Sequence, residues 1–233
     1  MVRILSIPAE KLFGVLKRCK ASNITLTGLL HALICTSLCR DVKGISGIRA
    51  VTPFSVRKLT GASEREIVNH ISFLSTYVSG ADLDKVGNSK RGSTIEEQHI
   101  IQLAQFFSSD IATKVKQFPH GSMFTRLNGV KDLLSLCQSQ AGTERLYTYE
   151  LSNLGSASSV PTQPSDNPKL ENLVFTQCGM VSGPAIGFNC ASIRGGSFTI
   201  SITWERGVVE ESLIQHVAED LQYWLNRETH LDP

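Results

Sequence analysis

Residues 197–204 read Ser-Phe-Thr-Ile-Ser-Ile-Thr-Trp, and this alternation constrains the fold more than any other stretch of the chain. Successive side chains on a strand point to opposite faces. Phe198, Ile200, Ile202 and Trp204 therefore form a face that must be buried, while Ser197, Thr199, Ser201 and Thr203 form a face expected to meet water. Gly195-Gly196 precedes the run and can take the positive φ angles of a tight hairpin turn. Residues 185–193 are the expected partner strand.

Helices must cover the apolar face, and the sequence offers several. Residues 209–227 carry Leu213, Val217, Leu221, Trp224 and Leu225 at helical spacing. Residues 25–40 carry Leu26, Leu29, Leu30, Leu33, Ile34 and Leu38, a face broad enough for a central buried helix. Ser93-Thr94-Ile95-Glu96 is a capping box that opens a helix running to about Phe118. Pro8 suits the first position of a helix containing Leu12, Val15, Leu16 and Cys19, and a further helix is expected over 129–139. Residues 45–56 read as a strand ending at Pro53. Residues 66–80 fit either a strand pair or a helix. A strand over 145–151 is expected to stop at Ser152-Asn153-Leu154-Gly155, and 155–170 is a Ser- and Pro-rich surface loop. Helices mixed with antiparallel strands predict an α+β fold, a mixed two-layer sandwich.

The 233 residues suffice for such a core, with 41% apolar residues. A formal net charge of +2 and the absence of long charge runs argue against nucleic acid as a partner. No run approaches the ~20 apolar residues of a membrane span, so no integral membrane segment is expected. The N-terminus lacks signal-peptide character, and six scattered cysteines without paired spacing read as free thiols. A soluble, cytoplasmic protein is the expectation.

Candidate chemistry is sparse. His216 and Asp220 form an HxxxD, the pattern in which a transferase histidine deprotonates an acceptor while the aspartate points away. Within a helix the two would project the same way, so a surface pair is expected. His31, Cys35 and Cys39 make an i, i+4, i+8 row. Its ends lie about 12 Å apart at ~1.5 Å per residue, too far to share a zinc, and buried inert thiols are expected instead of a nucleophile pair. Arg57 can hold an anion or serve a salt bridge. The glycines at 179, 183 and 187 match no phosphate-binding fingerprint. Ser152-Asn153-Leu154-Gly155 reads as a strand-ending turn or as one wall of an active site.

Four segments in order then resemble the second half of the alcohol acetyltransferase family. They are Val15-Leu16-Lys17-Arg18-Cys19 followed by Asn23 to Leu33, then Val51-Thr52-Pro53-Phe54-Ser55-Val56-Arg57, then 149–155 (YELSNLG), and finally the paired strands of 174–204. The family belongs to the CoA-dependent acyltransferases, with chloramphenicol acetyltransferase and peptide-synthetase condensation domains. The resemblance implies two similar α/β halves around a tunnel, and transfer of acetyl from acetyl-CoA, as co-substrate, to a small alcohol, as in secondary metabolism. It also implies a catalytic histidine in an HxxxD of the N-terminal half. The expectation is that 1–233 is the C-terminal half alone, through truncation or a gene model that lost its front. The alternative is a companion subunit or non-catalytic remnant that binds CoA or a partner half. On this resemblance no catalytic residue lies in the chain; Ser152, Asn153, Gly155 and Arg57 are candidates for the substrate channel, with Ser152 and Asn153 as oxyanion donors. No bound cofactor or metal is expected. An unrelated hydrolase would need a nucleophile–base pair that the sequence does not display.

Overall fold

The computed structural model describes residues 1–63, 66–119, 129–157 and 170–227. Six strands form one sheet: β1 (Val2–Ile7), β2 (Gly47–Ser55), β3 (Ile71–Ser79), β4 (Tyr149–Ala157), β5 (Ile186–Ile193) and β6 (Phe198–Trp204), in the order β1-β6-β5-β4-β2-β3. β4 runs parallel to both β2 and β5, and the other pairs are antiparallel. The helices are α1 (Ala9–Ala21), α2 (Leu26–Asp41), α3 (Arg57–Thr60), α4 (Gly80–Gly87), α5 (Thr94–Gln117), α6 (Leu133–Ser139) and α7 (Glu211–Asn226). The mixed α/β sandwich is therefore present.

α2 is the central helix. Ten of its residues are buried, from Gly28 to Leu38, so it is apolar on every side and takes its stability from packing more than from amphipathicity. Thr25 caps it by accepting from the Gly28 N–H at 3.0 Å. Gly28 also lets α5 approach: a Cβ there would lie 2.7 Å from the Ala104 carbonyl oxygen. Ser93 caps α5 as expected, accepting from the Glu96 N–H at 3.2 Å. The Glu96 carboxylate turns inward instead of closing the box on Ser93. It takes the Gly92 N–H and meets Arg40 of α2.

Four sequence expectations change. Both faces of β6 are buried, not one. The unpaired segment 170–180 crosses the polar face, and its carbonyls take the hydroxyls: Thr199 Oγ1 donates to Leu173 O at 2.5 Å and Ser201 Oγ to Phe175 O at 2.7 Å. Alternation marked the hydroxyl face correctly but could not show that main chain would cover it. β2 continues through Pro53 to Ser55. The missing N–H is tolerated because β2 pairs with β4 only at Ala50 and Val51, before the proline. Pro8 is the N-cap of α1, one residue before the helix. The expected strand over 145–151 instead spans Tyr149–Ala157 and passes through the Ser-Asn-Leu-Gly stretch. The ambiguous 66–80 stretch resolves as strand β3. Most of the loop expected at 155–170 lies outside the described residues.

Candidate active site

β4 is the spine of the site. Tyr149 and Leu151 point into the helical layer and are fully buried, whereas Glu150 contacts Gln177 on the opposite, strapped face. Ser152 is in register with Asn189 of β5, which is in register with Ser201 of β6. These three side chains make a polar row across the strapped face. Asn189 Nδ2 donates to Ser201 Oγ at 3.3 Å. Ser152 as a residue is 7% exposed, and its hydroxyl has no side-chain hydrogen bond to any described residue. Unlike the Ser37 and Ser72 hydroxyls, which are buried without a partner among the described residues, it keeps access to solvent and is free to donate to a ligand.

The register shift follows at once. Asn153 pairs with Cys190, and the next paired residue, Ser156, meets Ser192. Three steps along β4 match two along β5, which is a β-bulge with one extra residue. Gly155 sits in it at φ +77°, a conformation open to glycine and strained for other residues. Nothing lies within 4 Å of where its Cβ would be. The glycine is therefore required by backbone conformation and not by close approach. Asn153 fixes the bulge from both sides: its Oδ1 accepts from the Gly155 N–H at 2.9 Å, and its Nδ2 donates to Thr27 Oγ1 at 3.2 Å. The second bond ties β4 to the first turn of α2. Gly155→Ala should cost about 1–2 kcal/mol, the penalty for a left-handed L-residue. A urea titration reads it, and an unchanged midpoint would show that the bulge relaxes freely.

Arg57 opens α3, just past the end of β2. Its guanidinium donates to the carbonyl oxygens of Ser63, Glu66 (2.9 Å) and Val68 (2.8 Å), clamping the segment that leads into β3. The structure thus places Ser152, Asn153 and Gly155 on one strand, and Arg57 just beyond the end of the neighbouring strand β2, with its guanidinium occupied by carbonyl oxygens.

The HxxxD residues are also separated. His216 is exposed and has Asp41 Oδ1 at 3.3 Å from its Nδ1. Asp220 is buried, where Arg40 and Arg91 both bind it. The expectation of a simple surface pair gives way to an ion cluster joining α2, α5 and α7 through Arg40, Glu96 and Asp220. Among the described residues no three metal-ligating side chains cluster.

The histidine that heads the His31, Cys35, Cys39 row has a different role from the one its spacing suggests. His31 is fully buried, stacked on Phe107 at 4.6 Å, with Nδ1 2.8 Å from Tyr149 Oη and Nε2 2.9 Å from Thr52 Oγ1. Desolvation lowers its pKa to about 3, so it is neutral. Tyr149 Oη also lies 3.5 Å from Cys35 Sγ, and burial pushes that thiol up to about 12. The thiol is inert, as expected, and His31 is a structural link between α2, β2 and β4.

A mixed sheet with helices on one face and a bulged Ser-Asn strand near its centre carries the chloramphenicol acetyltransferase-like fold of the CoA-dependent acyltransferases. The trichothecene 15-O-acetyltransferase TRI3 of Fusarium sporotrichioides superposes with a TM-score of 0.73 at 12% identity, covering 97% of this chain and 46% of that one. The pattern that defines the alcohol acetyltransferase family matches residues 1–220, and the chain belongs to that family. A probable alcohol acetyltransferase, FCK4 of Fusarium pseudograminearum, is 29% identical over 96% of this chain. A second, crmB of Aspergillus fumigatus, is 19% identical over 87% of it. The chain spans 45% and 44% of the lengths of these two relatives. No single helix among the described residues is long and apolar enough to cross a membrane.

Proposed function

We propose that this chain forms the carbonyl-binding wall of an alcohol O-acetyltransferase, with Ser152 as the donor to the developing oxyanion. The observation that carries the reading is the accessible Ser152 hydroxyl, without a side-chain hydrogen bond to any described residue, beside the Asn153–Gly155 bulge. In this mechanism a histidine from an HxxxD-bearing N-terminal half takes the proton of a small alcohol. The alkoxide attacks the acetyl-CoA thioester carbonyl, and Ser152 donates to the oxygen that becomes negative. The intermediate then expels CoA thiolate, which takes up the proton. A donor of this kind is worth about 100- to 1,000-fold in turnover. Asn153 and Gly155 hold the strand bend that presents Ser152, and Arg57 shapes the rim.

The second reading, a partner-binding subunit without turnover, has its own support. Leu59, Ile67, Val68, Ile71 and Leu154 are exposed. They all lie at the end of the sheet where β2 and β4 terminate. Exposed apolar surface of this kind marks a docking face.

The test measures CoA release from acetyl-CoA with a short alcohol, by the chain alone and co-expressed with an HxxxD-bearing N-terminal half of a family member. Release should need both halves, and Ser152→Ala should lower it about 100-fold or more without lowering stability. Stable assembly without release in any combination favours the subunit reading. Release by the chain alone that disappears in His216→Ala overturns both.

A further inference from the structure

We propose that the helical layer holds a second binding site, for a medium-chain amphiphile with a single negative charge. A cavity of about 630 Å³ lies between α1, α2, α5 and α7, and none of the residues lining it belongs to a strand. That volume falls within the ~300–1,000 Å³ of small-molecule sites. Its floor is apolar, with Leu29, Leu33, Ile100 and Trp224 among the lining residues, while Arg18, Glu97 and Gln98 also line it. An apolar floor accepts a hydrocarbon chain and gives it no hydrogen-bonding competition.

The charge at Arg18 selects the head group. Its guanidinium is half-buried and donates from Nη1 to the Arg227 carbonyl oxygen at 3.2 Å. No carboxylate lies within 4.0 Å of it among the described residues. Burial, above all, lowers its pKa, and repulsion from Arg227 adds a smaller effect in the same direction. Glu97 is the acid that attracts both, and it lies 4.0 Å from Arg227 Nη1, a buried atom with no hydrogen-bond partner among the described residues. Among the described residues, Arg18 in the cavity lining and Arg227 beside it thus share one carboxylate, and a single anionic head would balance the group. Arginine donates to a carboxylate in a bidentate fork, so a carboxylate head fits best.

The site is separate from Ser152, which lies on the strapped face of the sheet, and it goes beyond the acetyl-transfer reading. The test involves no turnover, so its outcome is independent of that reading. Dodecanoate is titrated into the full chain below its micellar concentration, followed by calorimetry and by tryptophan fluorescence, since Trp224 is in the wall. Dodecanol and dodecyltrimethylammonium serve as neutral and cationic controls. Dodecanoate should saturate at one equivalent and bind more tightly than dodecanol, with the cation weakest. Arg18→Gln should weaken dodecanoate about tenfold or more and leave dodecanol unchanged. Gln98→Trp, at an exposed position of the mouth, should block both, with circular dichroism showing an intact fold. Absence of saturable binding, or equal binding of the anion and the alcohol, overturns the proposal. So does dodecanoate binding that neither variant alters.

Discussion

His31→Leu is expected to destabilise the chain by about 2–4 kcal/mol at pH 7.5, because it removes the imidazole partner of two buried hydroxyls at about 1–3 kcal/mol each, leaving Tyr149 only its longer contacts to the residue-31 carbonyl and Cys35. Those hydroxyls belong to Tyr149 and Thr52, and neither can turn to water. The deficit should shrink on acidification. The folded His31 has its pKa lowered to about 3, against ~6.5 in an unfolded chain. Protons therefore bind the unfolded state first. The neutral histidine's contribution is complete above pH 6.5 and is lost as pH falls toward 3, at about 1.4 kcal/mol per unit. From pH 6.5 to pH 5 the parent should lose about 2 kcal/mol that the leucine variant does not lose. Glu96 and Glu150, both raised by burial, act in the opposite direction, but they are common to both proteins and cancel in the difference. Urea unfolding at several pH values measures it. A gap that stays constant from pH 7.5 to pH 5 would mean that His31 titrates normally and that its burial has been misjudged.

Asp220→Ala is expected to cost about 2–3 kcal/mol, while His216→Ala costs less than about 0.5 kcal/mol. The contrast comes from what each residue leaves behind. Removing Asp220 leaves Arg40 and Arg91 without the carboxylate between α2 and α7. Arg40 retains Glu96, and both guanidiniums keep some access to water, which holds the cost at the lower end for a broken buried pair. His216 is more than half exposed and merely faces Asp41. Thermal unfolding of the two variants decides the matter. Equal losses would mean that the pair acts together, and the separation drawn between them would fall.

These two residues also show how far the sequence could be read. Helices announced themselves through local spacing: α2, α5 and α7 were placed within a residue or two because their apolar faces and caps are short-range features. The β5–β6 pair followed from alternation and Gly195-Gly196. Asp220 looked like the partner of His216 because they are four apart, yet its ligand Arg40 is 180 positions away. His31 looked like one member of a cysteine row, and its bond to Tyr149 crosses 118 positions. No local pattern encodes such contacts. The glycine of Ser-Asn-Leu-Gly resembled a strand terminator for the same reason. Whether a glycine ends a strand or lodges inside it depends on what the neighbouring strand does, and β5 supplies the continuation.

The extra residue in β4 has a bearing on how this segment tolerates change in length. Losing one residue from a strand normally swaps inside for outside along everything downstream. Here odd positions (Tyr149, Leu151) face the helices before the offset, and Ser156, aligned with Ser192, has the even parity after it. Excising Leu154 would bring the count on the two strands level and leave Ser156 and Ala157 opposite their present neighbours. Excision of Ser152 would instead displace the catalytic candidate itself. Indels in this segment are therefore readable by position: one slot absorbs them, and the adjacent ones do not.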